Sequence, residues 1–400
     1  MLLDFWFDLD TPESWLATLE IGDRAAAVGA TLRWRPLRRA TLVRGHRNGV
    51  DPDAGQPAPK RALLQKDAHR QAAVRGRRVQ WAQGPAPDTT LALRVLAGAP
   101  DGARAGLAAA LGEALWAEGR PLDAAVVGAC AAAAGLDAPA CAAAGEPALA
   151  AAAAEAEALG VFDVPTVTGA GGLWFGLDRL AAASRAWGAP PAPPLPVGGP
   201  GGEVQLFHDF ASPFSSLGVL AAAGLEAAHG VQVRVRPVLL GALFRRLGTP
   251  MVPLFAMDAP RQRWMMADLL AQAEALGFPL VFPDCFPVRT ILPLRVALVE
   301  PGVTVPLIHA LWAHNVNIGE PGPLREALDA AGFDGAALLA AADAPAVKAA
   351  LIENGEEAER RGVIGLPGWV LPDGALFWGV DRIPLIRAAL AGFPWPPEAR

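Results

Sequence analysis

The stretch that decides the fold is VQLFHDFASPFSSLG, which runs from Val204 to Gly218. Its first residues have the apolar pattern of a buried strand, and the residues after Pro213 continue as an apolar helix. Pro213 fits the first helical position, where its missing N–H costs nothing, so Ser212 is predicted to be the N-cap. A helix N-terminus offers unpaired amides and a positive dipole end, so this turn could hold an anion such as a thiolate. A helix cap without a ligand is the alternative.

The two halves of the chain follow one pattern. The first half opens with LLDFWFDLDTPESWLA, so Thr11-Pro12 corresponds to Ser212-Pro213 at an offset of 201 residues. Further matches at offsets of 201 to 203 residues pair Lys60 with Arg261, Arg94 with Arg295, Pro165 with Pro367, and Asp178-Arg179 with Asp381-Arg382. These matches predict an internal duplication.

A segment rich in proline and glycine, residues 188–202, separates the copies. Such a segment forms neither a helix nor a central strand, so it predicts a linker between a domain 1–187 and a domain 203–400. Each half reads as strand, helix, strand, a long helical region, two short strands and a last helix. This order predicts an α/β fold of two thioredoxin-like domains, each with a helical insertion.

Composition narrows the classes of function. The chain is 52% hydrophobic and 18% charged, which predicts a large core, and its net charge of −6 without a basic run argues against nucleic acid as a partner. We expect no membrane span and no signal peptide, and therefore a cytoplasmic location. Three cysteines without a C-x-x-C pair and six scattered histidines predict neither a disulfide framework nor a metal site.

Two later segments are candidates to meet the Ser212 turn. Leu366-Pro367 precedes a short strand, where a proline can be cis and the backbone of Leu366 could pair with an extended peptide; a trans proline that ends a helix is the alternative. Asp381 is predicted to cap the last helix, and Arg382 to bind a carboxylate or to brace Asp381. Arg261, near the start of an amphipathic helix, could meet a ligand carboxylate or be solvated.

Together these motifs resemble a known family. The patterns F-x-D-F-x-S-P-F-S, P-R-Q-R-W-M-M-A-D-L, T-x-L-x-L-R, E-E-A-x-x-R-G-V-x-G-L-P and L-F-W-G-x-D-R look like 2-hydroxychromene-2-carboxylate isomerase. They are also similar to the kappa-class glutathione transferases, and both groups belong to the DsbA-like branch of the thioredoxin fold. The resemblance covers the second half almost end to end and the first half more weakly.

The resemblance implies a glutathione site in the second half. Ser212 would be the catalytic residue that hydrogen-bonds the glutathione thiolate, and Leu366, before a cis Pro367, would pair with the cysteinyl backbone. Asp381 and Arg382 would hold the γ-glutamyl end. Arg261 stands where the family usually has lysine and would meet the glycyl carboxylate or the carboxylate of the substrate.

The first half departs further from the family pattern. Thr11 replaces serine, and Glu13 places a carboxylate where a thiolate should bind. We interpret this half as a degenerate copy with a possible vestigial site, made of Thr11, Lys60, Pro165, Asp178 and Arg179. Because family members are commonly dimers, the resemblance implies an intrachain pseudo-dimer that is monomeric in solution.

The function implied is a glutathione-dependent isomerase in aromatic catabolism, acting on a small-molecule carboxylate. Dithiol exchange is disfavoured, because the turn reads Ser212-Pro-Phe-Ser215 and cannot form a disulfide. Two alternatives remain at this point: a kappa-like glutathione transferase, and a non-catalytic scaffold with a thioredoxin fold.

Overall fold

The computed structural model describes residues 1–46, 57–81, 86–190 and 196–399, so residues 191–195 of the predicted linker lie outside the described residues. The chain divides into two compact units. The first comprises Met1–Gln56, Gln65–Pro194 and Pro396–Ala399, and the second comprises Pro57–Leu64, Leu195–Trp395 and Arg400. Each unit therefore contains one short segment from the other half of the sequence.

The first unit contains a mixed four-stranded sheet. Its strands are β1 (Leu2–Phe7), β2 (Thr31–Pro36), β3 (Thr166–Gly169) and β4 (Gly172–Phe175), in the order β2-β1-β3-β4. β2 is parallel to β1, whereas β3 and β4 are antiparallel to their neighbours. The helices of the first half are α1 (Pro12–Ala27), α2 (Arg39–His46), α3 (Ala58–Ala73), α4 (Thr90–Gly98), α5 (Asp101–Gly112), α6 (Ala124–Ala133), α7 (Ala138–Ala158) and α8 (Leu180–Ala186).

The second unit repeats this sheet. Its strands are β5 (Gly202–His208), β6 (Val231–Pro237), β7 (Gly368–Val370) and β8 (Leu376–Trp378), in the order β6-β5-β7-β8 and with the same directions. Its helices are α9 (Pro213–His229), α10 (Leu240–Leu247), α11 (Ala259–Ala275), α12 (Ile291–Val299), α13 (Thr304–Trp312), α14 (Pro321–Ala330), α15 (Gly335–Ala342), α16 (Pro345–Arg360) and α17 (Ile383–Leu390).

The central strands carry the cores of the two units. The side chains of Phe5, Phe7, Leu206 and Phe207 are fully buried. Both faces of these strands are covered, which is why their sequences are almost continuously apolar. The predicted α/β fold with two thioredoxin-like domains and helical insertions is confirmed.

The close packing of α9 is set by a glycine. A Cβ at Gly218 would lie 2.9 Å from the Cβ of Pro367 and 3.3 Å from the ring of Trp369. Only a residue without a side chain lets the helix approach the Leu366-Pro367 loop this closely. The helix that follows the Ser212 turn is therefore packed directly against that loop.

Within the described ranges, no individual helix has both the length and the apolar character to cross a bilayer. Two bent helix pairs, α6 with α7 and α15 with α16, meet the criteria of length and composition when each pair is taken together. The same part of the chain contains no group of three or more His, Cys, Asp or Glu that could hold a metal ion.

Candidate functional site

The Ser212 turn caps α9 in the way its sequence predicts. The Ser212 Oγ accepts a hydrogen bond from the Ser215 amide at 3.2 Å and donates one to the carbonyl oxygen of Leu366 at 3.4 Å. Ser212 is 8% exposed and lines a large cavity. The hydroxyl is thus held at the helix N-terminus, beside the Leu366-Pro367 loop and at the wall of an open space.

Two buried polar residues at the end of β5, His208 and Asp209, support this turn. The His208 Nδ1 lies 2.9 Å from the Ser215 Oγ, and burial lowers the pKa of His208 to about 3, so the ring is neutral at pH 7. The Asp209 carboxylate accepts hydrogen bonds from the amides of Ala211 at 3.0 Å and Leu240 at 2.7 Å, while burial raises its pKa. The sequence pattern did not predict that His208 and Asp209 support the turn. The only signal for these roles was that a pair of polar residues stands at the end of an apolar strand.

The peptide bond between Leu366 and Pro367 is cis, as predicted. The amide of Gly379 donates to the Pro367 carbonyl at 3.0 Å, so the segment after β8 lies directly beside the loop. A Cβ on Gly365 would lie 2.7 Å from the Nε1 of Trp378. Glycine at this position therefore lets the Trp378 indole pack against the loop that faces Ser212.

The cavity has a volume of about 910 Å³ and is bounded mainly by apolar side chains. They come from the Ser212 turn, from α10, from the segment before α11, from α11 itself, from the segment before α12 and from β8. Representative wall residues are Phe214, Met257, Met265, Met266, Phe282 and Trp378. A space of this size and lining suits a small organic ligand with an apolar body.

Cationic side chains also line the cavity, and Lys60 is one of them. The Lys60 Nζ lies 5.6 Å from the centroid of the Trp378 ring, within the range of a cation–π interaction. Lys60 is part of the Pro57–Leu64 segment of the second unit, although it is encoded in the first half. Arg245 and Arg289 also line the cavity.

Arg261 lies outside the described lining of the Ser212 cavity. It lies in the first turn of α11, where its amide donates to the Asp258 cap at 2.9 Å, and it is half-buried. Among the described residues that line the Ser212 cavity, Arg261 is not found. The structure thus brings together Ser212, Leu366 and Lys60, and does not bring Arg261 to the same cavity wall.

Asp381 and Arg382 are paired with each other. The Nη1 of Arg382 lies 3.4 Å from the Oδ2 of Asp381, and neither residue belongs to the described lining of the cavity. The prediction that Asp381 caps the last helix is wrong, because α17 begins at Ile383 and has Arg382 as its N-cap. The chain enters this helix one residue later than the sequence suggested.

The corresponding residues of the first half keep part of the arrangement. The Thr11 Oγ1 caps α1 by accepting from the Ser14 amide at 3.3 Å, and Pro165 follows a cis bond. The Oδ1 of Asp178 accepts a hydrogen bond from Gln71 at 2.6 Å, while Arg179 ends a short 3-10 turn.

A cluster of charged residues lies near the Thr11 turn. The Arg39 Nε is 2.7 Å from the Oδ1 of Asp163, and the Arg39 Nη1 is 3.5 Å from the Oδ2 of Asp10. The equivalent residues of the second half are Leu240, Gly365 and Ala211, and all three line the Ser212 cavity. Three positions that line the Ser212 cavity in the second half are thus occupied by an ion cluster in the first half.

Comparison with known proteins agrees with this architecture. The model of the DsbA-like thioredoxin domain matches residues 2–187 and again 203–391. The chain therefore belongs to the DsbA-like thioredoxin domain family and carries the domain twice.

Individual relatives each align with about half of the chain. The 2-hydroxychromene-2-carboxylate isomerase of Sphingobium xenophagum is 26% identical over 191 residues, which are 47% of this chain and 97% of that protein. Human glutathione S-transferase kappa 1 is 29% identical over 212 residues, covering 48% of this chain and 92% of the relative. A solved structure of 2-hydroxychromene-2-carboxylate isomerase matches 47% of this chain and 93% of its own, with 22% identity and a TM-score of 0.42.

Proposed function

We propose that the second unit is a glutathione-dependent isomerase of the 2-hydroxychromene-2-carboxylate isomerase type. The observation that carries the proposal is the Ser212 hydroxyl, which caps a helix 3.4 Å from the Leu366 carbonyl at the wall of a cavity of about 910 Å³. The family relationship agrees with it, because two relatives of similar length to one unit are named as such an isomerase and as a glutathione transferase.

The residues around Ser212 fit the thiol end of glutathione. A thiol with an ordinary pKa near 8.5 is only a few per cent ionised at pH 7, and a helix N-terminus with a hydroxyl donor favours the thiolate. Ser212 supplies both features, and the Leu366 backbone can pair with the cysteinyl part of the peptide. Glutathione, when bound, supplies a thiolate that adds reversibly to a conjugated carbon and thereby allows a neighbouring double bond to rotate.

The charged residues have separate roles in this proposal. Lys60, on the cavity wall beside Trp378, binds the carboxylate of the substrate or the glycyl carboxylate of glutathione. The γ-glutamyl end of glutathione extends toward Asp381 and Arg382. These residues closely follow Gly379, whose amide is hydrogen-bonded to the Pro367 carbonyl beside the proposed cysteinyl position. The apolar wall holds the aromatic part of the substrate and keeps water from it. We place this reaction in aromatic catabolism and in the cytoplasm, where glutathione is reduced.

The test is a glutathione titration by calorimetry, followed by turnover of a 2-hydroxychromene-2-carboxylate monitored by its absorbance. We expect Ser212→Ala to lower turnover by about 100-fold and to weaken glutathione binding less, because one donor to a developing or bound anion contributes on this scale. Thr11→Ala is the matched control from the other half and should leave both properties unchanged. An equal loss in the two variants would contradict a single active site in the second unit.

A kappa-like glutathione transferase is the second candidate, and the large apolar cavity favours it, since such a space also accepts electrophilic aryl compounds. An aryl halide that yields a stable thioether, with no isomerisation of the chromene carboxylate, would support the transferase. Absence of glutathione binding in the calorimeter would instead support a non-catalytic scaffold.

A further inference from the structure

A second cavity, of about 360 Å³, lies in the second unit between α10, α12 and α16. Part of its wall is aliphatic and comes from Leu239, Leu243, Ile291, Leu351 and Ile352. The rest is cationic, with Arg245, Arg246, Arg295 and Lys348 all on the lining. The cavity adjoins the Ser212 cavity, with which it shares Leu239, Ala242, Arg245 and Ile291, but neither Ser212 nor Leu366 is on its lining.

Two of the four cations are already neutralised. Lys348 forms an ion pair with Asp343, and the Arg246 Nη1 lies 2.6 Å from the Glu359 Oε2. Asp343 also lies in the field of Arg295, but its closest cationic partner is Lys348. The cavity therefore keeps an excess of positive charge, contributed by Arg245 and Arg295.

Arg295 provides the second observation. Its Nε is buried and has no hydrogen-bond partner in the described part of the chain. A buried donor without a partner destabilises the folded chain, and it is usually satisfied by water or by a ligand. Arg295 also lines the cavity, so an anion that enters it would approach a guanidinium whose hydrogen bonds are incomplete.

The equivalent arginine of the first half shows how the position is neutralised without a ligand. The Arg94 Nε lies 2.8 Å from the Glu146 Oε2. Next to this pair, Gly98 and Gly145 let α4 and α7 approach so closely that a Cβ on Gly145 would overlap the Arg94 carbonyl oxygen. Gly98 corresponds to the larger Val299 in the second half, where the cavity lies beside α12.

We propose that this second cavity binds a small organic anion with an aliphatic body, its carboxylate held by Arg295 and Arg245. The aliphatic wall accounts for the apolar body, and the unneutralised guanidinium groups account for the anionic head. The inference does not depend on glutathione binding or on the Ser212 site.

Calorimetric titration of the full-length chain with octanoate, in the absence of glutathione, tests the proposal. We expect saturable binding of octanoate and at least tenfold weaker binding of octanamide, which has the same chain without the charge. Equal binding of the two compounds would overturn the anionic specificity, and no binding of octanoate would overturn the site.

Charge-reversal variants locate the binding. Lys348→Glu places a carboxylate on the lining of this cavity alone and should weaken octanoate binding by at least tenfold. Lys66→Glu makes the same charge change at an exposed position of α3 and should not affect octanoate binding.

Arg295→Leu removes the guanidinium with the unpaired donor, is compatible with the aliphatic wall and should also reduce octanoate binding by at least tenfold. Unchanged binding in a folded Lys348→Glu or Arg295→Leu protein, or an equal loss in Lys66→Glu, would overturn the assignment.

Discussion

The two halves of this chain share one backbone fold but differ in the side chains around the capped turn. In both, a buried aspartate ends the central strand. Asp8 accepts from the amide of Arg39 at 2.9 Å and from the hydroxyl of Thr89 at 2.7 Å. Asp209 accepts from the amide of Leu240 at 2.7 Å and is also hydrogen-bonded to Thr290. The backbone frame of the turn is therefore maintained in both halves, independently of any ligand.

The difference lies in a few side chains around that frame. The second half has Ala211, Leu240 and Gly365 where the first has Asp10, Arg39 and Asp163. The residues of the second half line a cavity, whereas those of the first half form ion pairs. The comparison teaches that equivalent positions around one conserved turn can either line a cavity, where they are small or apolar, or form ion pairs, where they are charged.

The largest effect is expected from giving the second half the side chains of the first. The double variant Ala211→Asp, Leu240→Arg introduces a carboxylate and a guanidinium on the cavity wall, where they compete with substrate and repel or displace its charged groups. We expect turnover of the chromene carboxylate to fall by 100-fold or more, measured in the absorbance assay.

The reciprocal double variant in the first half, Asp10→Ala with Arg39→Leu, is the control and should leave turnover within twofold of the wild-type value. Thermal unfolding of both proteins separates loss of the site from loss of the fold. Full activity of a folded Ala211→Asp, Leu240→Arg protein would mean that substrate does not occupy this cavity.

The next effect concerns pH and a residue present in one half only. His208 has a pKa lowered to about 3 by burial, against an ordinary value of 6.5, and Phe7 stands at the equivalent position. Between these two pH values the unfolded chain binds a proton that the folded chain does not, so stability falls as the pH is lowered through this window. From pH 7 to pH 5 the loss from this group is about 2 kcal/mol.

The measurement is urea unfolding of the wild type and of His208→Phe at both pH values. Burial raises the pKa of Asp8 and of Asp209, which has the opposite sign, because the stability contributed by these groups is lost as the pH rises through their folded pKa. Both aspartates are retained in the variant, so the difference between the two proteins isolates His208. If the free energy of unfolding had the same pH dependence in both proteins, the pKa of His208 would not be lowered by burial.

The smallest effect distinguishes Lys60 from its repeat equivalent. Lys60→Ala removes the cation that lines the cavity beside Trp378 and should raise the KM for the carboxylate substrate by about tenfold, since a charge-assisted contact contributes roughly 1.5–3 kcal/mol at most. Arg261→Ala is the control and should change KM by less than twofold. The reverse ranking would identify Arg261, and not Lys60, as the ligand of the carboxylate.

Much of the local structure could be predicted from the sequence, because it depends on short-range patterns. Thr11-Pro12 and Ser212-Pro213 specify helix caps whose partners lie three residues away. The local prediction that failed was the cap at Asp381, because α17 begins at Ile383 and has Arg382 as its N-cap. Helix ends fray, and their first residue varies by one or two positions, so a residue pattern defines a cap only to that precision.

The contents of the site could not be predicted in the same way. The Arg39 and Asp163 pair joins residues 124 positions apart, and the contact between Ser212 and Leu366 spans 154 positions. Nothing in the local sequence of Arg39 indicates that its guanidinium meets a carboxylate near the turn rather than solvent.

By itself, the sequence determined the duplicated β-α-β order, the two capped turns and the proline loops, because strand and helix periodicity and proline geometry act over a few residues. Only the tertiary structure decided that Lys60 lines the Ser212 cavity while Arg261 is not on its described lining, and that three equivalent positions line a cavity in one half and form ion pairs in the other. The physical reason is that a repeat assigns equivalent positions along the chain. Whether a side chain reaches a given cavity depends on long-range packing, in this case on Pro57–Leu64 folding with the second unit.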